Sequence, residues 1–412
     1  MPGSLLSDQR WLQAVAQSQP RVAELLLRSP EEQKKAGYFH TLHEILQQPT
    51  TWADTAERLV GASGELARLL ASVQCVVLTG SGSSEYVGDC VCAPLQQELG
   101  VVVEVIGGGV LLAHGTDALP PLRPALVVSL GRSGDSPESV AAVSWLLQTD
   151  PKIEHLVLTC NREGGLAREL SSHPNVHVVT LNDATNDRSL VMTSSFTNLA
   201  LAARSLGMLS QTERYRTTCR GLGQITDRLL RDYLATIAKV ASRGFGRVVF
   251  LGSGPRMGAA REAALKILEM TAGAVPTICE TYLSFRHGPM SFVQDDTLIV
   301  SFLSCDPTLR SYECDLLREL DQKSLGKRKV IVGEDIPRDV IRENDVAIEC
   351  PGLRTLNDND TPVIHVVVGQ VLAFFRCLEE GLHPDAPSKD GVINRVVPGF
   401  RLHFTAGSDG NG

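Results

Sequence analysis

The sequence predicts an α/β protein with two tandem, doubly wound parallel sheets and a helical segment in front of them. Three observations lead to this prediction. Short apolar runs alternate with helical segments, which is typical of parallel strands buried on both faces. Two such runs continue into a glycine- and serine-rich loop and a helix, at Gly80-Ser-Gly-Ser-Ser and at Gly252-Ser-Gly. The chain has 412 residues, enough for two domains. We therefore expect an internal duplication of one α/β unit.

The elements follow in order along the chain. We expect four segments: helices over 1–60, a first α/β domain over 61–210, a second over 225–380, and a tail over 381–412. In the first segment, Glu44 follows Thr41 at the spacing of a capping box. The apolar runs that predict strands begin at Cys75, Val101, Ala125, His155, Val176, Arg247, Thr297, Lys329 and Val363.

The composition restricts the partners and the compartment. The formal net charge is −8, so the surface as a whole does not attract nucleic acid. The first residues lack the basic start and apolar core of a signal peptide, and we expect no apolar run of membrane-spanning length. The 10 cysteines lack the spacing of a zinc site, and His40 and His43 have no third ligand in view. We expect a cytoplasmic protein with free thiols, no metal, and no nucleic-acid or membrane partner.

Hydroxyl-rich loops follow the predicted strands of the first domain. The first loop by itself is equally well a tight turn, but a second one, Gly131-Arg-Ser-Gly-Asp-Ser, also connects a strand to a helix. The carboxyl ends of parallel strands meet at one edge of a sheet, and helix N-termini there attract anions. The sequence therefore predicts a phosphate site at this edge. Its candidate ligands are Ser83, Ser84, Arg132, Ser133, Ser136, Thr193 and Ser194.

The candidate catalytic groups lie in the second domain. Glu262, Lys266 and Glu269 are spaced by four and three residues, so they share one face of a helix. Such a charged stripe is often solvated. This helix, however, begins at a glycine-serine loop and is otherwise apolar, which favours a position at a cleft. A histidine is suited to proton transfer near neutral pH, and Gly288-Pro fixes a rigid turn beside His287.

These loops resemble the phosphate-binding Ser/Thr motifs of sugar isomerase (SIS) domains, which glucosamine-6-phosphate synthase contains. The resemblance covers nearly the whole chain after about residue 40. It is strongest with the AgaS-type branch, described as galactosamine-6-phosphate deaminases or tagatose-6-phosphate ketose/aldose isomerases. The segments that carry it are Thr41-Leu-His-Glu-Ile-Leu-Gln-Gln-Pro, Asp187-Arg-Ser-Leu-Val-Met-Thr-Ser-Ser-Phe-Thr, Phe285-Arg-His-Gly-Pro and Asn394-Arg-Val-Val.

The resemblance implies roles for individual residues. It makes Glu269 the base that moves a proton between C1 and C2 of a sugar phosphate, with Lys266 beside it. It makes His287 the group that assists ring opening, in the active site of the neighbouring subunit of a homodimer. Glu280 is a second carboxylate near the same pocket. The synthase pattern has Ser where this chain has Gly131, so position 131 offers only its backbone.

The tail over 381–412 resembles the synthase segment that covers the site, in which a lysine forms a Schiff base with the keto sugar. Here Arg395 precedes the Val-Val of the pattern, and an arginine stays protonated and forms no imine. Lys389 is the alternative candidate. We therefore expect Arg395 to contact substrate and no covalent imine to form. No cofactor is expected, because the reaction involves no redox change.

The predicted function is the deaminating isomerisation of an amino-sugar 6-phosphate, with galactosamine 6-phosphate as the preferred substrate and tagatose 6-phosphate and ammonia as products. Two other enzyme activities use the same proton transfer, namely aldose–ketose isomerisation of tagatose 6-phosphate and deamination of glucosamine 6-phosphate. A hypothesis of another class is a sugar-phosphate sensor without catalysis. Against it, no basic recognition helix precedes the first predicted strand.

Overall fold

The strands form two five-stranded sheets, in a computed structural model that describes residues 5–388, 391–396 and 401–403. The first sheet contains β1 (Cys75–Thr79), β2 (Val102–Val105), β3 (Ala125–Gly131), β4 (Ile153–Thr159) and β5 (Val176–Thr180). The second contains β6 (Arg247–Leu251), β7 (Thr277–Glu280), β8 (Thr297–Phe302), β9 (Arg328–Gly333) and β10 (Val346–Glu349).

Helices precede the first sheet, connect the strands and cover the sheets. They are α1 (Gln9–Ser18), α2 (Pro20–Leu27), α3 (Pro30–Lys35), α4 (Phe39–Leu46), α5 (Gln48–Leu70), α6 (Ser83–Leu99), α7 (Gly108–His114), α8 (Pro137–Thr149), α9 (Gly165–Arg168), α10 (Ser194–Arg204), α11 (Thr212–Ser242), α12 (Pro255–Met270), α13 (Tyr282–Phe285), α14 (Pro307–Gln322) and α15 (Pro362–Glu379).

The two sheets have the same topology. The strand order is β2-β1-β3-β4-β5 in the first and β7-β6-β8-β9-β10 in the second, and all neighbours are parallel. Each strand of the first sheet therefore has a counterpart in the second, in the order in which the strands occur along the chain. The predicted fold of two tandem, doubly wound parallel sheets is confirmed. One continuous apolar core joins the two units, with α5, α6, α11, α12 and α15 packed between the sheets.

One predicted strand is wrong. The apolar run at Val363 belongs to α15, and His365 is buried in that helix and not in a strand. Nearly every position of α15 is buried, so the run shows neither helical nor strand periodicity, and Pro362 at its first position favours a helix. Two short strands, β7 and β10, were not predicted. Both are half-buried edge strands, which lack the continuous apolar run of a central strand.

The helix α15 also bears on the expectation that no apolar run reaches membrane-spanning length. It is the one helix in the described ranges that is long and apolar enough to cross a membrane. Its apolar window is 83% buried inside the protein, which is typical of a core helix. The length and hydropathy of α15 are thus explained by its packing against α11 and α12.

Two of the expected segment boundaries lie within helices. The boundary expected at residue 60 falls inside the continuous helix α5, and the second domain was expected to start at a residue inside α11. The capping box expected at Thr41 and Glu44 is absent, because both residues lie within α4. The Thr41 N–H instead donates to Asp385 Oδ1 at 2.8 Å, and Glu44 binds a loop of the first unit.

The helices α6 and α12 cross closely at Gly258. A Cβ atom at this position would lie 2.6 Å from the backbone nitrogen of Cys90 and 2.7 Å from its sulfur. Both distances are shorter than a real Cβ contact, and one of the atoms is backbone, which cannot rotate away. The glycine therefore sets the distance between the helices that join the two units.

We predict that Gly258→Ala lowers the free energy of unfolding by about 1–3 kcal/mol, because the added methyl group overpacks the helix crossing. Gly64→Ala is the matched control, because Gly64 lies in α5 and a Cβ atom there would have no neighbour within 4 Å. The control should gain roughly 0.5–1 kcal/mol from the higher helix propensity of alanine. Urea unfolding measures both, and equal effects would contradict the close-approach argument.

Candidate functional site

A small cavity lies at the carboxyl ends of β1 and β3, between the two hydroxyl-rich loops. Its volume is about 80 Å³, far below that of a pocket that encloses a whole ligand. It therefore suits a small group such as a phosphate. The lining residues are Ser81, Ser84, Leu130, Gly131, Arg132, Ser133, Gly134, Ser136, Ser139, Leu166, Met192 and Arg395.

The walls of the cavity offer donors to an anion. The helices α6 and α8 begin beside it, at Ser83 and Pro137, so the positive ends of two helix dipoles approach it. The hydroxyl oxygen of Ser81 is buried and has no hydrogen-bond partner among the described residues. An anion in the cavity would accept that unused hydrogen bond. Neither Ser81 nor Ser139 was predicted, although Ser81 belongs to the first loop and Ser139 to the first turn of α8, directly after the second loop.

The one buried cation of the cavity is Arg132, which is 8% exposed. Its Nη1 donates to the backbone oxygens of Ser189 at 3.2 Å and Leu190 at 2.8 Å, and its Nη2 donates to that of Arg395 at 3.3 Å. Burial lowers the pKa of Arg132, while the charge of Asp187 acts in the opposite direction. The guanidinium is thus fixed in place by neutral carbonyl groups and retains its charge for a ligand.

The loop that holds Arg132 is itself fixed by the N-terminal segment. Glu44 Oε1 accepts the N–H groups of Arg188 at 2.6 Å and Ser189 at 3.3 Å. The Ser189 hydroxyl bonds the other oxygen of Glu44 and lies 3.1 Å from the backbone oxygen of Val191. Burial, and then the nearby Asp187, raise the pKa of Glu44 to about 7. Glu44 therefore acts on the cavity through the loop and not by direct contact.

The C-terminal segment is hydrogen-bonded both to the start of α4 and to the loop that holds Arg132. Both oxygens of Asp385 accept backbone N–H groups at the start of α4, those of His40 at 3.1 Å and Thr41 at 2.8 Å. The backbone oxygen of Asp385 accepts the N–H of Leu190 at 3.0 Å. Ten residues further on, Arg395 lines the cavity and its Nη2 donates to Asn186 at 2.6 Å. The first and last segments of the chain thus meet at the loop behind Arg132.

Three other predicted phosphate ligands lie beside the cavity and are not among its lining residues. Ser83 accepts a hydrogen bond from Lys266, as described below. The Thr193 and Ser194 backbone N–H groups donate to Asp187 at 2.7 Å and 3.1 Å, and the Ser194 hydroxyl accepts a bond from Asn198. Asp187 thereby caps the start of α10. The sequence segment that begins at Asp187 carries part of the family resemblance, but nothing in it indicated this role.

The predicted catalytic stripe of α12 is buried where α12 meets α6. The side chains of Glu262 and Lys266 are 0% exposed, and that of Glu269 is 22% exposed. Lys266 Nζ lies 3.3 Å from Glu262, donates to Ser83 Oγ at 3.1 Å, and forms a short ion pair with Glu269. The stripe is thus a compact charge cluster and not a solvated face. It connects α12 with the loop that carries Ser84.

The charged groups of this cluster shift one another's pKa values. Burial raises the pKa of Glu262 to about 7, against the opposing effect of Lys266. Burial also acts to lower the pKa of Lys266, but the two carboxylates outweigh it and hold that pKa above its ordinary value. Lys266 therefore remains an ammonium. Glu269 is the member that is open to a substrate, and its charge is among those that act on Arg132.

The predicted groups His287 and Glu280 are not among the residues that line the cavity. His287 is exposed on the loop after α13 and is not among the lining residues. Glu280 ends β7, and its carboxylate accepts the N–H of Thr281 at 2.8 Å. Lys389 lies outside the described residues. In the ranges that the structure describes, no three His, Cys, Asp or Glu side chains form a group that could hold a metal ion.

We predict that part of the stability of the protein is lost as the pH rises through about 7. Glu44 keeps its proton up to about pH 7 in the folded state, whereas its ordinary pKa is 4.5. The stability that this proton contributes is complete below 4.5 and disappears through the folded pKa. When the pH rises from 5 to 8, the free energy of unfolding of Glu44→Gln should therefore fall by roughly 1–3 kcal/mol less than that of the wild type.

Urea unfolding at the two pH values measures this difference. A glutamine preserves the pattern of hydrogen bonds, because its amide can donate to the Ser189 hydroxyl as a protonated carboxyl does. Glu31→Gln, at an exposed position of α3, is the control and should keep the wild-type slope. Identical slopes in all three proteins would disprove the buried, protonated carboxyl.

Comparison with known proteins gives relatives over most of the chain. No family model matches it. An AgaS protein of Streptomyces coelicolor is 38% identical over 373 residues, which are 88% of this chain and 95% of the relative. The D-galactosamine-6-phosphate deaminase AgaS of a Shewanella strain is 35% identical over 387 residues, 92% of this chain and 95% of the relative.

Among solved structures, the tagatose-6-phosphate ketose/aldose isomerase from Escherichia coli superposes with a TM-score of 0.79 and 30% sequence identity. The match covers 88% of this chain and 96% of that structure. These matches extend over about nine tenths of the chain, and they confirm the resemblance inferred from the loops. The chain belongs to the AgaS family of two-domain SIS proteins.

Proposed function

We propose that the protein is a deaminating isomerase that converts an amino-sugar 6-phosphate, preferentially D-galactosamine 6-phosphate, to tagatose 6-phosphate and ammonia. One observation carries the proposal. A cavity that suits a phosphate in size and donors lies beside a buried ammonium–carboxylate cluster from the other unit, with Lys266 bonded to Ser83 of the cavity loop. A phosphate anchor next to a proton-transfer group is what the isomerisation of a sugar phosphate needs.

The phosphate binds to the hydroxyl groups of Ser84, Ser133 and Ser136 with the charge of Arg132, and to the unused hydroxyl of Ser81. This anchors one end of an open-chain sugar at the strand ends. The other end extends toward Glu269, the partly exposed member of the cluster. The anchored phosphate thereby holds C1 and C2 close to a carboxylate, so little further freedom of orientation is lost before the proton transfer.

The chemical step is a proton transfer between neighbouring carbons. Glu269 takes the proton from C2, the electron pair forms a C1=C2 double bond, and the carbonyl oxygen on C1 takes a proton from water and becomes a hydroxyl. Glu269 then returns its proton to C1, the nitrogen lone pair forms the C2=N bond, and the nitrogen gives a proton back to the solvent, which leaves a ketimine at C2. Water adds to this carbon and ammonia leaves. Lys266 is held as an ammonium by Glu262 and Glu269, so it stabilises negative charge that develops beside it.

The names of the relatives support deamination over simple isomerisation. The Shewanella relative is a D-galactosamine-6-phosphate deaminase, while the E. coli structure is a tagatose-6-phosphate ketose/aldose isomerase. Both reactions use the same C1–C2 proton transfer and differ only in whether C2 bears nitrogen or oxygen. Isomerisation of tagatose 6-phosphate is therefore the second candidate, and the assay below distinguishes the two.

We further propose that the enzyme is a homodimer in which His287 serves the active site of the partner. His287 is exposed and does not line the cavity of its own chain. The apolar residues Leu268 and Leu283, which are close to Glu269 and His287 in the sequence, are 43% and 51% exposed. A second copy would cover these side chains. The 10 cysteines are all free thiols, which supports a cytoplasmic location.

The proposed base gives the first functional prediction. Glu269→Gln should lower ammonia release from galactosamine 6-phosphate by about 10²–10⁴-fold, because the amide cannot take the C2 proton. Its KM should change little, since the phosphate ligands are untouched. Coupled assays for ammonia and for ketose phosphate measure the reaction with galactosamine 6-phosphate, glucosamine 6-phosphate and tagatose 6-phosphate.

Glu213→Gln is the control, because the Glu213 side chain is 81% exposed on α11. It should retain full activity. Interconversion of tagatose 6-phosphate without ammonia release from either amino sugar would favour the isomerase. Binding of sugar phosphates without any turnover by the wild type would contradict both enzyme activities and favour a sensor.

The proposed dimer predicts complementation between inactive variants. Glu269→Gln and His287→Ala should each be inactive alone. If each site takes Glu269 from one subunit and His287 from the other, a purified heterodimer of the two variants contains one intact site and should recover about half of the wild-type activity. Coexpression with two different affinity tags allows its isolation. A heterodimer without activity would show that the two residues do not act across subunits.

A further inference from the structure

The second unit contains a copy of the loop pair that encloses the phosphate cavity of the first. Gly82 precedes α6 and Gly254 precedes α12, and both have positive φ angles, 59° and 55°. The loop 303–306 follows β8 and begins α14, as the loop 131–136 follows β3 and begins α8. Because β8 and β3 take the same place in their sheets, the two loop pairs are equivalent. An anion site is thus expected in the second unit.

The chain's own Asp358 carboxylate lies at this equivalent position. Its Oδ1 accepts the backbone N–H of Cys305 at 3.0 Å, and its Oδ2 accepts a hydrogen bond from the Ser304 hydroxyl. Arg256 Nη1, from the first turn of α12, lies 2.7 Å from the same Oδ2. A backbone N–H, a hydroxyl and a guanidinium thus converge on one carboxylate. These are the three kinds of donor that surround the phosphate cavity of the first unit.

The buried guanidinium of Arg256 needs a negatively charged group beside it. Arg256 is 1% exposed, and neither its Nε nor its Nη1 makes a hydrogen bond among the described residues, so the contact of Nη1 with Asp358 is an ion pair. Its other carboxylate neighbour, Glu313, is 3.8 Å away and accepts the N–H of Ser304 at 2.7 Å. Burying an arginine without an adequate counter-charge costs several kcal/mol. Asp358 is therefore the principal group that neutralises Arg256.

The helix α6, which packs beside the second loop pair, lacks the charged groups that α12 carries. Counted from the first helical residue after each glycine, Glu262, Lys266 and Glu269 of α12 correspond in α6 to Cys90, Pro94 and Gln97. The helix α6 packs against the start of α12, where Gly258 touches Cys90, so these positions do approach the second loop pair. None of them is a base or an ammonium. The second site is therefore a site for an anion and not for chemistry.

We propose that Asp358 is a built-in substitute for phosphate, which closes a second anion site on Arg256, Ser304 and Cys305, and that its removal opens this site to inorganic phosphate. The inference stands on the duplicated loops and does not depend on which sugar the enzyme uses. It explains why a chain with two equivalent strand edges is expected to bind one sugar phosphate and not two.

Thermal unfolding with inorganic phosphate, against sodium chloride at the same ionic strength, tests the proposal. Asp358→Ala should unfold at a lower temperature than the wild type in chloride. Added phosphate should raise its midpoint by about 2–4 °C more than it raises that of the wild type. Isothermal titration should show one bound phosphate for the wild type and two for the variant. An equal temperature shift and an equal count would overturn the proposal.

Two further variants make the result specific. Asp358→Ser removes the charge and most of the side-chain volume but keeps a hydroxyl that can bond Cys305, so it should show the same extra phosphate response even if the alanine variant fails to fold. Asp360→Ala is the matched control. Asp360 is 4% exposed and pairs with Arg204 at 2.8 Å, but Arg204 also keeps Glu98. This control should respond like the wild type, and an extra response in it would refute a site specific to Asp358.

Discussion

The ammonium group of Lys266 is the interaction on which the site depends. It is completely buried, and it contacts two carboxylates of its own helix and the hydroxyl of Ser83 on the other unit. A buried charge of this kind is tolerable only if its partners are fixed, so it ties the orientation of α12 to that of α6. The contacts that balance this charge also set the distance between Glu269, the proposed base, and the cavity proposed for phosphate. The contacts that neutralise Lys266 therefore also fix the position of Glu269.

The duplicated unit has been used in two different ways. In the first unit the loop pair encloses a cavity with the buried Arg132, whose guanidinium is held by carbonyl groups. In the second unit the Asp358 carboxylate lies at the equivalent loop pair, while the helix α12 carries the Lys266 charge cluster. In the proposed mechanism, each unit contributes what the other lacks, and neither could form the site alone.

Sequence reasoning reached those features that repeat or stand in a motif. The sheets, the cavity loops and the Lys266 cluster follow from apolar runs, glycine spacing and helical periodicity. It failed at α15, because a helix buried on all sides has no period, and at β7 and β10, because short edge strands carry few apolar residues. It also missed the partners that lie far apart in the chain. Nothing local marks Glu44 as the support of residues 188–189, or Asp358 as the partner of Arg256.

The hydrogen bonds of Asp385 have a consequence for the order in which the protein folds during translation. This residue, near the end of the chain, holds the start of α4 and the loop behind Arg132, and Arg395 completes the cavity wall. During translation both sheets leave the ribosome before either residue does. A nascent chain can therefore fold most of its core while its phosphate cavity is still unfinished. If the cavity binds phosphate as proposed, substrate affinity is acquired only when the segment that carries Asp385 and Arg395 docks against the start of α4.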